Sequence, residues 1–233
     1  GWGDITFDKG FALSSNVGVI NLIKRHMNAD MLRSYFKKLG FSKKTGITLP
    51  NEATGKLSFK YETEIFNAGF GQGITTTPMQ NIQALTSLTN KGVMLKPYIV
   101  DKIVDPNTNE VVYEGKRTEV DKVASEETVN KMKDLMWDTV NGKGNTGAGY
   151  KLEGYDLIGK TGTAQIADES SGGYLSGSND IISSFAGVYP KEDSKVIIYA
   201  SVKRPAGGKQ NVIWKAVKDI VVNISKYYGT NPT

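Results

Sequence analysis

Apolar residues recur at helical spacing in five stretches and at strand spacing in several others. Residues 16–25 place Val17, Ile20, Leu22 and Ile23 on one face, and residues 7–15 read as the lead-in to that helix. A second helix is expected over residues 30–39, with Asp30 as N-cap, Gly40 at its end and a stripe of Met31, Leu32, Tyr35, Phe36 and Leu39. Thr77 is the expected cap of a third, with Pro78 at its first position and Gly92 after its last turn. Ser125 caps a fourth, where Glu126 and Glu127 suit the positive end of the helix dipole and Val129, Met132, Met136 and Val140 form the buried face. The last helix, residues 212–228, turns Ile213, Val217, Ile220, Val221 and Ile224 toward a sheet. Between Thr45 and Gly73 the chain reads as a long irregular segment punctuated by Pro50, Gly55, Gly69, Gly71 and Gly73.

Strands are expected over residues 93–105 and 111–114, joined as a surface hairpin by the turn at 105–109. Three more follow, at residues 154–166, 181–189 and 196–203, with connections that favour antiparallel neighbours. Val196-Ile197-Ile198-Tyr199-Ala200 is apolar on both faces, the pattern of a strand covered on both sides and central in its sheet. Three strands leave such a run at an edge, which implies partner strands from outside this sequence. An ordinary small sheet with a helix on each face is the alternative.

Composition narrows the class without deciding the chemistry. At 233 residues, 39% hydrophobic and 23% charged, the chain has the makeup of a globular protein able to bury a sizeable core. No apolar run is long enough for a membrane helix, residues 1–4 are not a signal peptide, and the start without methionine suggests a fragment or a processed piece. The absence of cysteine excludes disulfides and thiolate metal sites, and no acidic pair or His/Asp cluster points to a metal or a cofactor. The net charge of +5 is spread along the chain, with no Lys/Arg stripe interleaved with aromatics, so a nucleic-acid partner is not expected.

The chemistry centres on Lys160-Thr161-Gly162-Thr163, a lysine, two hydroxyls and a glycine on one exposed strand edge, suited to holding a carboxylate beside a backbone N–H. Lys44-Thr45-Gly46 is a second Lys-Thr-Gly, followed by Ile47 and read as a loop. Ser14-Ser15-Asn16 opens a helix, so it is either an N-cap or a hydroxyl and an amide held at a cleft. Gly142-x-Gly144-x-x-Gly147 matches a dinucleotide fingerprint but follows a helix instead of preceding one, and is read as a flexible loop. His26, the only histidine, sits beside Lys24 and Arg25 and is expected at the surface.

Four signals come in order: Ser14-x-Asn16; Gly71-Gln72-Gly73 with Thr77-Pro78-Met79-Gln80; Asn90-Lys91-Gly92; and Lys160-Thr-Gly-Thr. With Phe11 through Gly18 and Lys160 through Asp168, continuing to Gly172-Gly173-Tyr174-Leu175, the chain resembles the transpeptidase domain of class B penicillin-binding proteins, of the septal type. That resemblance implies the α/β penicillin-recognising fold: an antiparallel sheet flanked by helices plus a helical subdomain. It also implies that residues 1–233 are the C-terminal part of one such domain, with 1–153 mostly helical and 154–233 supplying three strands and the last helix. The family's motifs run Ser-x-x-Lys, Ser-x-Asn, Lys-[Ser/Thr]-Gly-[Thr/Ser]. The first is expected several dozen residues before the second, yet no serine precedes Ser14 here. Ser34-x-x-Lys37 falls after Ser14, on a polar helix face with Arg33 and Lys38, where a nucleophile would lack a desolvated cleft. The resemblance implies a five-stranded sheet whose first two strands precede the nucleophile, so the nucleophile and those two strands are expected in one N-terminal segment outside this chain.

For the residues present, the resemblance implies a proton relay at Ser14 and an amide contact to a peptide substrate from Asn16. Lys160 supplies positive charge near the substrate carboxylate and near Ser14, and Thr161 and Thr163 offer hydroxyls to that carboxylate. The Thr163 N–H is implied as an oxyanion donor, Gly162 as the residue that lets the strand lie close to a bound acyl group, and Gln165 as a neighbour of the site. The implied partners are peptidoglycan stem peptides, β-lactam antibiotics, a membrane glycosyltransferase and division proteins, at the extracytoplasmic face of a bacterial membrane. A non-catalytic scaffold or binding domain of the same fold in a division complex is the alternative.

Overall fold

The computed structural model describes residues 2–168, 170–208 and 210–230. Residues 7–15 are more than a lead-in: they hold a short helix, α1 (Phe7–Ala12), capped by Thr6. The chain turns at Ser14, and Ser15 caps α2 (Asn16–His26) by accepting from the Gly18 N–H at 3.1 Å. Asn28, not Asp30, caps α3 (Ala29–Lys38), its Oδ1 accepting from the Met31 N–H, while Asp30 pairs with Arg33 in the first turn. These helices bury narrower stripes than their spacing suggests. Ile23 and Leu32 pack with Phe59 and Ala68, but Val17, Leu22, Met31 and Tyr35 are exposed.

The segment expected to be irregular contains β1 (Lys56–Leu57), α4 (Glu62–Gly69) and, just past it, β2 (Ile74–Thr75), which pairs with β1. Helix α4 lacks a conventional cap residue; the Glu64 carboxylate reaches back to accept from the Lys60 and Tyr61 N–H groups. Helix α5 (Pro78–Thr89) begins as expected, with a reciprocal capping box between Thr77 and Gln80.

The single strand expected over residues 93–105 is two strands in different sheets. β3 (Val93–Leu95) and β4 (Lys102–Val104) are separated by Lys96-Pro97, whose proline cannot continue a ladder. β4 pairs with β5 (Val111–Glu114) across the expected turn, where Asp105 Oδ1 accepts from the Asn107 and Thr108 N–H groups. β3 pairs with β6 (Glu119–Lys122), a charged strand with no apolar alternation to announce it. Ser125 caps α6 (Glu126–Asn141) as expected, and Val129, Met136 and Val140 are buried.

The main sheet is antiparallel, in the order β7 (Ile158–Gln165), β8 (Ile181–Tyr189), β9 (Val196–Lys203). β7 starts four residues later than expected, because residues 154–157 pass through a turn. Helix α7 (Trp214–Tyr228) follows a 3-10 turn over Gln210–Ile213, so it too begins late, and Ile220 is exposed instead of facing the sheet. Val217 and Val221 of α7 pack with Phe185, Tyr189 and Ile198 on one face, where the Tyr150 ring stacks on Phe185 at 3.8 Å. On the other face Met136 of α6, Leu88 of α5 and Phe11 of α1 pack with Ile158 and Val188. The sheet is therefore covered on both faces, with β7 at one edge and β9 at the other.

Candidate active site

As an edge strand, β7 presents one side of its backbone to whatever lies alongside it. Lys160 shares the face of Ile158, which carries its side chain toward α1 and places the ammonium 5.7 Å from the centre of the Phe11 ring. There Nζ donates to Ser14 Oγ and, at 2.9 Å, to the Thr161 carbonyl. Burial disfavours the charged form and lowers the pKa of Lys160 to about 8. Ser14 is delivered by a left-handed backbone, φ 53°, a conformation a non-glycine residue holds only when its surroundings over-determine it. Because Ser15 does the capping, the Ser14 hydroxyl is left free for the cleft.

Thr161 points to the opposite face from Lys160, yet its hydroxyl reaches the same cluster by donating to Thr146 Oγ1 at 2.9 Å, and Ser14 Oγ lies 3.2 Å from that same oxygen. Ser14, Lys160 and Thr161 are thus brought together. Thr163 is exposed further along β7, and Gln165 is exposed at its end. Asn16 is exposed at the first position of α2, and among the described residues its side chain makes no hydrogen bond. A Cβ on Gly162 would come within 2.6 Å of Ser184 Oγ, a hydroxyl at the end of a rotatable side chain that would have to turn away. The loop after β7 ties Asp168 to the Ser170 and Ser171 hydroxyls, bonds that hold its carboxyl down to about 2.

Thr146 has no place among the residues picked out by motif, and its loop carries more hydrogen bonds than its glycine-rich sequence suggests. Residues 142–147 are fastened at both sides. Asn145, 6% exposed, donates to the Asp138 carbonyl at 2.9 Å and to its carboxylate at 3.1 Å, and accepts from Lys9 Nζ at 2.6 Å. The Thr146 N–H and hydroxyl both donate to the Ala12 carbonyl. The only hint in the sequence was a glycine-rich run between a helix and the Lys-Thr-Gly strand.

The other candidates take structural positions. The Glu52 carboxylate accepts from the Thr45 and Gly46 N–H groups and the Thr45 hydroxyl, which closes the second Lys-Thr-Gly on itself. Ser34 and Lys37 are exposed on α3, and His26 is exposed at the end of α2. What the cluster can do follows from its parts: an ammonium able to lose its proton near neutral pH, touching a serine hydroxyl beside an open strand edge, can hold an anion and exchange protons.

Comparison with known proteins finds relatives over most of the chain. The sequence model of a family described as "Penicillin binding protein transpeptidase domain" matches residues 1–222. Stage V sporulation protein D of Bacillus subtilis is 36% identical over 198 residues, which are 83% of this chain and 29% of that protein. Penicillin-binding protein PbpB of Mycolicibacterium smegmatis is 30% identical over 84% of this chain and 31% of its own length. The chain thus spans about a third or less of these relatives. Among solved structures, penicillin-binding protein 3 of Mycobacterium tuberculosis complexed with ampicillin superposes with a TM-score of 0.88 at 23% identity, over 98% of this chain and 52% of that one. Penicillin-binding protein 2X of Streptococcus thermophilus gives 0.83 at 27% identity, over 97% and 34%.

Proposed function

The chain belongs to the penicillin-binding protein transpeptidase domain family, and from that premise we propose that it supplies two walls of a serine D,D-transpeptidase that cross-links peptidoglycan stem peptides. The observation that carries this reading is the meeting of Lys160 Nζ with Ser14 Oγ across 146 residues of sequence, which joins the Ser-x-Asn and Lys-Thr-Gly-Thr motifs at one point. In the reaction a serine attacks the penultimate carbonyl of a D-Ala-D-Ala stem, D-Ala leaves, and an amine of a neighbouring stem takes the acyl group. That serine, with its lysine, lies outside this sequence, as does the rest of the domain of which residues 1–153 and 154–233 form the C-terminal part. The partial coverage of the relatives supports this division.

Within the chain, Lys160 and the Thr163 hydroxyl hold the substrate carboxylate, the Thr161 hydroxyl turns from Thr146 to join them when substrate binds, and Ser14 relays protons toward the leaving amine. Asn16, exposed at the first position of α2, bonds the substrate amide. The Thr163 N–H is one oxyanion donor, a contact worth roughly 3–4 kcal/mol in the transition state. β-Lactams acylate the same serine; the solved relatives complexed with aztreonam and ampicillin support carrying that chemistry over. The protein works at the extracytoplasmic face of a bacterial membrane, beside a membrane glycosyltransferase and division proteins. Among the described residues no helix is long and apolar enough to cross a membrane, so the proposed anchor lies elsewhere.

Labelling with a fluorescent penicillin tests the reading. The full-length protein should form a covalent adduct, and Lys160→Ala should slow its formation by about 10²-fold or more. The 25.4 kDa chain alone should keep its unmodified intact mass. An adduct on the chain alone would disprove an outside nucleophile, and a full-length protein that binds penicillin without an adduct would point to a scaffold.

A further inference from the structure

Four polar groups meet between α1, the 142–147 loop and β7, and Thr146 is the one that belongs to no motif. Its hydroxyl has a single proton, which it donates to the Ala12 carbonyl at 3.0 Å. Ala12 is fully buried, and its carbonyl also accepts the Thr146 N–H, so this anchor is fixed from two directions. With its proton committed there, the Thr146 oxygen can only accept from its remaining neighbours. Thr161 Oγ1 donates to it at 2.9 Å, and Ser14 Oγ sits 3.2 Å away on its other side. If the Ser14 proton points to Thr146, a Ser14 lone pair is left for the Lys160 ammonium, which donates to it. One buried carbonyl thereby sets the direction of a hydrogen-bond chain running from Lys160 through Ser14 to Thr146.

We propose that Thr146 is a positioning residue for the transfer reaction, acting as an obligate acceptor that anchors the Ser14 and Thr161 side chains in the resting site and leaves a Ser14 lone pair facing the Lys160 ammonium. The proposal rests on the transpeptidase reading above. It accounts for the attachment of the loop: Asn145 and the Ala12 carbonyl hold it so that one oxygen stands between two motifs. The charged groups beside the loop, Lys9 and Asp138, are both engaged with Asn145 and are turned to that task instead of to Ser14.

The experiment compares Thr146→Val, which removes the hydroxyl at similar volume, with Thr146→Ser, which keeps it. In the full-length protein the second-order rate of acylation by a fluorescent penicillin should fall by about 10²-fold in Thr146→Val and stay within about threefold of wild type in Thr146→Ser. Melting curves of both variants check folding. Equal rates in wild type and Thr146→Val, or equal losses in both variants, would overturn the proposal. If the wild-type full-length protein is not acylated, the transpeptidase reading falls instead. In that case the Lys160 ammonium of the full-length protein still decides the role of Thr146. Followed by NMR, its titration should move down by about 0.5 pH unit in Thr146→Val and hold in Thr146→Ser. An unmoved titration in Thr146→Val overturns the hydrogen-bond chain itself.

Discussion

Burial beside Phe11 lowers the pKa of Lys160 to about 8, whereas an unfolded lysine titrates near about 10.4. Between those values the unfolded chain binds a proton that the folded chain does not, so stability should rise with pH across that window. Below about pH 8 both states are protonated and this contribution is constant. Urea unfolding at pH 7.5 and 9.5 should therefore show a gain for wild type that Lys160→Met lacks; equal changes would mean the ammonium is not desolvated. The upper limit avoids Tyr150, whose phenol is pushed up by burial and would destabilise the fold once the unfolded phenol ionises. Residues of this kind were legible in sequence because lysine, serine and threonine in a fixed order carry chemistry by type. Thr146 was not, since a lone threonine in a glycine-rich run has no period and no motif. Only the fold shows that its oxygen stands between Ser14 and Thr161.

Helices α5 and α6, opened by a standard cap and the residues beside it, were legible, whereas an unusual cap or a distant partner hid other elements. Thr77-Pro78 and Ser125-Glu126-Glu127 announce α5 and α6 because caps and dipole charges act within one turn. Helix α4 escaped notice because its cap is a glutamate reaching backward, and the division of residues 93–105 depends on pairing with a strand more than twenty residues away. Gln80 bridges the two regimes. Its carbonyl completes the α5 cap, while its fully buried amide donates to the Lys43 and Thr54 carbonyls at 2.7 and 2.6 Å, tying the chain just before the segment that reads as irregular to a point inside it. Gln80→Ala leaves both carbonyls without that donor and should lower stability by about 3 kcal/mol. The midpoint of denaturant unfolding should fall with the slope unchanged; a loss under about 1 kcal/mol would mean that water replaces the amide.

At the scale of the molecule the telling feature is an edge. The run 196–200 reads as a central strand, and both faces of β9 are indeed covered, yet among the described residues only β8 pairs with it. In an antiparallel pair alternate amides point to the partner, so every second N–H of β9 faces outward from the sheet. Face coverage alone explains the apolar run, which is why sequence could not separate a strand buried by helices from one buried by strands. Hydrogen exchange can. In the chain alone the β9 amides directed at β8 should exchange slowly and the alternate ones fast. In the full-length protein the proposed N-terminal strands should protect the alternate set as well, by about 10²-fold or more if their opening costs about 3 kcal/mol. Unchanged exchange in the longer protein would leave β9 an edge by design and place the upstream segment elsewhere. Protection appearing together with penicillin labelling would tie the two absences, strands and nucleophile, to one stretch of chain, because closing the sheet at β9 and completing the cleft at β7 are then the same event.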